Sequence, residues 1–206
     1  GDELLIGYHA HLDRASGSSQ RAFAMDRVIV NKDGTLFVNG PTYSLQPLPT
    51  SVSGYENIAL RASISASGDD DCNKLNDYKI PMHIANPSNM ALEYTFQPGS
   101  HEVRLRWSKN YEISAVAVYG GMDKDYVIDK LDIQVGNKTF KNIELNHEYY
   151  QDYFDEFREN GYLRPGSPFV AEFETTFANQ VTVKFSSSKQ TKMSEIVVLA
   201  KGGTQI

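Results

Sequence analysis

The chain has 206 residues, 40% of them apolar and 11% aromatic, enough for a packed core but cramped for two separate enzymatic domains. Its 20 basic and 26 acidic residues give a net charge of −6, and no Lys/Arg run stands ready to neutralise a phosphate backbone, which argues against nucleic acid as a partner. No apolar stretch approaches the ~20 residues that span a bilayer, and Cys72 alone can build neither an internal disulfide nor a thiolate-rich metal site.

In chain order, Leu4 to His11 and Ala22 to Val30 are apolar and β-prone, separated by a polar loop at Ser16 to Gln20. Asn31-Lys32-Asp33-Gly34 is a turn of Asn/Asp/Gly type before Thr35 to Val38, so a three-stranded antiparallel unit is expected. Three prolines between Asn39 and Pro49 favour extended, unpaired backbone, a linker or strap. Beyond Tyr55 come short β segments: Leu60 to Ala66, Met90 to Phe96, Glu102 to Trp107, Glu112 to Tyr119, Val127 to Val135, Val170 to Thr176, Val181 to Ser186 and Ile196 to Leu199. Alternation places Val103, Leu105 and Trp107 on one face and Ala115, Ala117 and Tyr119 on another. Short strands punctuated by turn residues predict an all-β, jelly-roll sandwich. One helix is expected in Asn146 to Asn160, where Tyr149, Tyr153 and Phe157 fall four apart and Gly161 supplies a stop; the spacing points to a face packed on a sheet.

The segments Ile6 to Asp13, Phe23 to Arg27 and Asp33 to Thr42 resemble the end of the catalytic propeller of family 43 glycoside hydrolases. The tail Met193 to Lys201 is similar to the closing strand of the galactose-binding-like sandwich that follows the propeller in some of them. The resemblance implies a propeller-blade remnant over residues 1–50, a hairpin or meander ending in the Pro-rich strap, and a galactose-binding-like sandwich over 51–206. A whole propeller needs roughly 300 residues, and no position here matches the family's catalytic carboxylates, so no catalytic residue is assigned. His9 falls where the family places a histidine near the propeller axis. The apolar side chains of the first strands, Leu4, Ile6, Phe23, Met25, Val28, Val30, Leu36 and Val38, need cover. The remnant is therefore expected to dock on the sandwich, on a second copy of the chain or on the missing propeller. A bacterial periplasmic, cell-surface or secreted location is expected, and because the start Gly-Asp-Glu-Leu-Leu has no basic n-region followed by an apolar h-region, any signal peptide is expected to have been removed.

The most acidic loop is Asp69-Asp70-Asp71-Cys72-Asn73 with Asn76-Asp77, and it lacks the Gly and Glu spacing of an EF-hand. In galactose-binding-like domains an early Asp loop and a Glu on the last strand hold a structural calcium, and Asp77 and Glu195 are the matching positions. The alternative is a solvated turn, with Glu195 in an ordinary surface pair. His9 and His11 would share a strand face, but no third ligand is visible, so a plain histidine pair is expected.

Saccharides need flat aromatic faces and directed planar hydrogen-bonding groups. Trp107, Tyr111, Tyr78 and Tyr119 lie on or near expected loops, with Arg106, Asn110 and Asp123 nearby. Alternation assigns Trp107 to the core, Tyr78 and Tyr111 admit either a core or a binding role, and Tyr78, Tyr111, Arg106 and Asn110 are the candidates. Asn137-Lys138-Thr139 fits a glycosylation acceptor, a pattern that arises often by chance. No nucleophile elbow, phosphate loop, zinc-protease helix or carboxylate pair for glycoside hydrolysis is present.

Three readings follow. The first is a non-catalytic module of a family 43-type hydrolase that binds plant-type polysaccharide containing arabinose or xylose, or stabilises its neighbour. The second is the terminal part of an active arabinosidase or xylosidase. The third is a structural or adhesive sandwich with no sugar site.

Overall fold

The computed structural model describes residues 3–11, 21–40, 46–67, 71–81, 92–121, 123–145 and 168–202. The helix expected over 146–160 lies outside them, as do Asp69 and Asp70.

The first three strands are β1 (Leu4–His11), β2 (Arg21–Val30) and β3 (Leu36–Asn39), antiparallel in the order β1-β2-β3. The expected turn closes β2 onto β3: Gly34 takes φ 83°, Asn31 N–H donates to Thr35 C=O at 2.8 Å, and Gly34 N–H donates to Asn31 C=O at 2.9 Å. The strap follows and leads into a single helical turn, α1 (Thr50–Ser53), whose first N–H is capped by the Glu3 carboxylate at 2.6 Å.

The remaining strands are β4 (Tyr55–Asn57), β5 (Ser63–Ala66), β6 (Tyr94–Phe96), β7 (Gly99–Gly120), β8 (Lys130–Val135), β9 (Lys138–Glu144), β10 (Pro168–Ser187) and β11 (Thr191–Lys201). They build an antiparallel sandwich in which β7 and β10 belong to both sheets. The first half of β7 pairs with Ser63–Ala66 and with Gln180–Ser187, while β8 and β9 extend that sheet beyond β10. The second half of β7 pairs with Pro168–Ala178 and with β11, and β4 and β6 share the far edge of β11.

Several expectations change here, and two strands, β4 and β9, fall outside the expected segments. Glu102 to Trp107 and Glu112 to Tyr119 are one 22-residue strand, and Val170 to Thr176 and Val181 to Ser186 are likewise one of 20. The polar residues between them form bulges rather than turns, because the chain crosses between sheets without leaving the ladder. Leu60 lies in a 3-10 turn (Ala59–Arg61), so that segment's strand begins only at Ser63. Strands β4 and β9 carry too few apolar residues to be read from pattern: in β9 only Phe140 and Ile143 pack inward.

Both sheets turn apolar faces to one core. Val103, Leu105 and Trp107 enter it as alternation predicts, with Val181, Val183 and Phe185 beside them and Ile196, Val198 and Ala200 opposite. Burial of each such side chain is worth about 1.5–3 kcal/mol. The buried Trp107 indole donates to Ile58 C=O at 2.8 Å, so its polar end is satisfied inside the core.

Strand β11 is buried on both faces. Its outward residue Val197 joins Tyr78, Ile80 and Tyr119 in a second small cluster, against which Ile29 of β2 packs. The N-terminal sheet thus docks on the sandwich, though by one end only. The buried Asn39 side chain clamps the joint, donating to Tyr78 C=O and accepting from Ile80 N–H at 3.0 Å. Arg27 sits over the Tyr78 ring at 5.2 Å, donates to Pro47 C=O at 2.7 Å and pairs with Glu3 at 3.2 Å. Away from the joint, Leu4, Ile6, Val30, Leu36 and Val38 remain exposed on the opposite face.

Replacing Asn39 by Ala leaves two buried main-chain groups unpaired, and a loss of about 2–4 kcal/mol is expected in urea denaturation. Asn39→Asp, which keeps only the acceptor, should fall between Ala and the parent protein.

Candidate functional site

The structure brings Asp77 and Glu195 near each other within the sandwich, beside the joint. Glu195 lies on β11 opposite Tyr119 and is fully buried. Its Oε2 accepts from Tyr78 N–H at 2.9 Å, and its Oε1 is buried with no hydrogen-bond partner. Burial, reinforced by the nearby Asp77 charge, pushes the Glu195 carboxyl well above the ordinary range. Asp77 is pushed up as well, chiefly by burial; its Oδ1 accepts from Lys79 N–H at 3.0 Å, and the Lys79 ammonium stands 3.9 Å from its other oxygen.

Between these carboxylates Tyr78 adopts φ 64°, a left-handed conformation that costs a non-glycine residue of order 1 kcal/mol. Three contacts hold it there: its N–H on Glu195, its C=O on Asn39 and its ring under Arg27. The ring is 6% exposed, and burial raises its hydroxyl pKa. No ring face is open for stacking on a sugar, so Tyr78 orders this loop instead.

Arg106, Asn110 and Tyr111 are brought together at the corner of β7. Arg106 pairs with Gln180 and Tyr111 with Ala178, so residues 107–110 stand opposite the single Asn179, Trp107 turned into the core and 108–110 exposed. Arg106 and Asn110 are exposed, and Tyr111 is half-buried. The Tyr111 ring rests edge-on against Trp107 at 6.0 Å and carries the Lys109 ammonium 5.2 Å from its centre. Sequence reasoning missed Arg61, whose guanidinium is held by both oxygens of Glu56 at 3.0 and 2.9 Å and lies beside the Tyr111 hydroxyl. A 3-10 turn delivers Arg61 there, and no spacing pattern in the sequence marks it.

Among the described residues no three His, Cys, Asp or Glu side chains stand close enough to hold a metal ion. His9 lies exposed on β1, and the side chain of His11 is outside the described residues.

Comparison with solved structures decides the fold. A fucose-binding module of Streptococcus pneumoniae superimposes with a TM-score of 0.50 at 15% identity, covering 72% of this chain and 97% of that one. The sandwich is galactose-binding-like. Two further neighbours are the lectin domain of lectinolysin in complex with Lewis b (0.49, 14%, 70% and 96%) and the family 32 carbohydrate-binding module of Clostridium perfringens NanJ in complex with galactose (0.43, 11%, 70% and 98%). No family model and no curated protein matches the chain.

The described residues thus set one unpaired Glu195 oxygen beside a second carboxylate, hard oxygen donors of the kind a divalent cation takes, though two side chains alone do not fill its shell. In metal-free protein the linkage runs one way. Unfolded Glu195 ionises near 4.5 while the folded carboxyl keeps its proton to higher pH, so stability is greatest below 4.5 for this group and falls as pH rises through the raised folded value. With chelator present, melting temperature should therefore decline on raising pH over this window, and Glu195→Gln should remove most of the slope.

Proposed function

We propose that the chain is a non-catalytic carbohydrate-binding module that takes its ligand at the β7 corner. The observation that carries this reading is the bulge over residues 107–110 on a galactose-binding-like sandwich, which exposes Arg106 and Asn110 beside the half-buried Tyr111. The Arg106 guanidinium and the Asn110 amide offer directed donors to vicinal hydroxyls, and Tyr111 offers the edge of a ring already fixed by Trp107. Strands paired on both sides lose little freedom when a ligand binds. The superimposing Streptococcus pneumoniae module is itself a fucose-binding one, which accords with this reading.

Calcium belongs to this reading as a structural ion. Asp77 and Glu195 would hold it, and its charge would relieve the repulsion and desolvation that now raise both carboxyls. An extracellular setting, in the periplasm, at the cell surface or secreted, accords with a polysaccharide ligand.

The finer attribution is an arabinose- or xylose-containing plant polysaccharide and a family 43-type hydrolase as parent protein. It rests on the resemblance of the segments from Ile6 to Thr42. The exposed row Leu4, Ile6, Val30, Leu36 and Val38 favours the second reading, the terminal portion of an active arabinosidase or xylosidase, since a neighbouring blade would cover such a face.

Affinity electrophoresis against arabinan, xylan, arabinoxylan and galactan, with a parallel reducing-sugar assay, tests the proposal. Retardation without sugar release is expected, and Arg106→Ala or Asn110→Ala should weaken it by about tenfold, the worth of one directed hydrogen bond. Sugar release by the chain alone would overturn the non-catalytic reading. A second measurement concerns the ion: calcium should raise the melting temperature of the parent protein, more strongly at higher pH, and leave Glu195→Gln unmoved.

A further inference from the structure

A groove of about 610 Å³ opens where β7 and β8 begin, at the opposite end of the first half of β7 from the bulged corner. It lies between the start of β7 (Ser100, His101, Glu102), the end of β10 (Lys184, Phe185, Ser186), the start of β8 (Lys130 to Asp132) and Asn142 of β9, and Ser67 also lines it. We propose that this groove is a second binding site, for a neutral, hydroxyl-rich ligand of the saccharide class. The proposal rests on the carbohydrate-binding reading above and extends it to a surface that the corner does not touch.

Charge points to the ligand class first. Two carboxylates and two ammonium groups line the groove, and the cations are engaged: Lys184 stands 3.5 Å from Glu102, and Lys130 stands 3.0 Å from Glu144. Glu102 is shared with Arg104 as well. An anion would find no surplus cation, and among the described residues the one lining carboxylate outside an ion pair, Asp132, already accepts from Asn142 N–H at 2.9 Å. A neutral ligand with many hydroxyls suits such engaged groups, because each retains lone pairs or N–H bonds beyond its present partner.

Preorganisation is the second point. Lys141 and Asn142 stand opposite the single Asp132, a bulge in the β8–β9 ladder. Asn142 is held there at φ 55°, and its N–H donates to Asp132 Oδ1 at 2.9 Å. A bulge of this kind re-aims a side chain out of the regular alternation. It sets the Asn142 amide and the Asp132 carboxylate side by side on the groove wall, one able to donate and accept, the other to accept. Across from them Ser100 and Ser186 share a 2.8 Å hydroxyl contact that leaves one hydroxyl proton and several lone pairs for a ligand.

The wall behind is fixed. His101 contacts Ser67 Oγ through Nδ1 at 2.8 Å and Gln97 C=O through Nε2 at 2.6 Å, and its ring packs against Phe96 and Phe185 at 5.0 and 5.2 Å. Nε2 must donate to the Gln97 carbonyl, and the Ser67 hydroxyl engages Nδ1, so both ring nitrogens are occupied and the ring is a fixed boundary of the groove.

The test is amide chemical-shift mapping of the full chain titrated with the methyl glycosides of fucose, galactose, arabinose and xylose, and with galacturonate as an anionic comparator. At least one neutral glycoside is expected to move the amides of residues 100–102, 131–132, 141–142 and 184–186 saturably, in the parent protein and in Arg106→Ala alike. Asn142→Gly keeps the left-handed backbone at no steric cost while deleting the amide, and it should weaken this response about tenfold. The proposal fails if no neutral glycoside moves these amides, or if galacturonate binds here more tightly than all of them. Shifts confined to residues 106–111 would overturn the second site while leaving the carbohydrate reading intact.

Discussion

Everything in this fold hangs on the pairing of β7 with β10. Each strand is too long for one layer of a small sandwich, and both bend together, so one continuous ladder serves two sheets. Where the ladder must turn, the count of residues on the two strands no longer matches, and the surplus on β7 forms a bulge that exposes residues 108–110 while Trp107 stays in the core. The corner that displays Arg106, Asn110 and Tyr111 is therefore a by-product of closing the sandwich. Its rigidity comes from the core beneath it, through Trp107 and the Ile58 carbonyl.

The fold was largely legible in the sequence because the core residues alternate. Val103, Leu105 and Trp107 were assigned inward by spacing and are buried, and Asn31 to Gly34 carried its turn chemistry openly. Strand ends were harder to read. Ser108, Lys109 and Asn110 look like a turn because they are polar, yet a bulge exposes side chains in the same way without breaking the strand. Pattern also fails for β9, whose pairing comes from its hairpin with β8 through Gly136 at φ 57° rather than from apolar periodicity.

The candidate sites were legible only where residues close in sequence are also close in space. Arg106, Asn110 and Tyr111 share one short stretch, so they could be grouped by eye. Asp77 and Glu195 are 118 positions apart and were paired through a family resemblance. The part played by Asn39 and Arg27 in holding Tyr78 depends on how the N-terminal sheet lands on the sandwich. The fate of Tyr78, buried rather than displayed, follows from that landing and from nothing in its own neighbourhood of sequence.

The hold of the N-terminal sheet on the sandwich is polar and narrow: Asn39, Arg27 and Ile29 meet a loop, whereas the sandwich is fastened by two long paired strands. Such a joint opens at a lower free energy than the core unfolds. Tyr78 is shared between the sheet and Glu195, so lifting the sheet loosens the lid over that carboxylate while β7 and β10 stay closed. Access of protons and ions to Glu195 should then follow that local opening, set by how firmly the Tyr78 loop is held rather than by the stability of the sandwich.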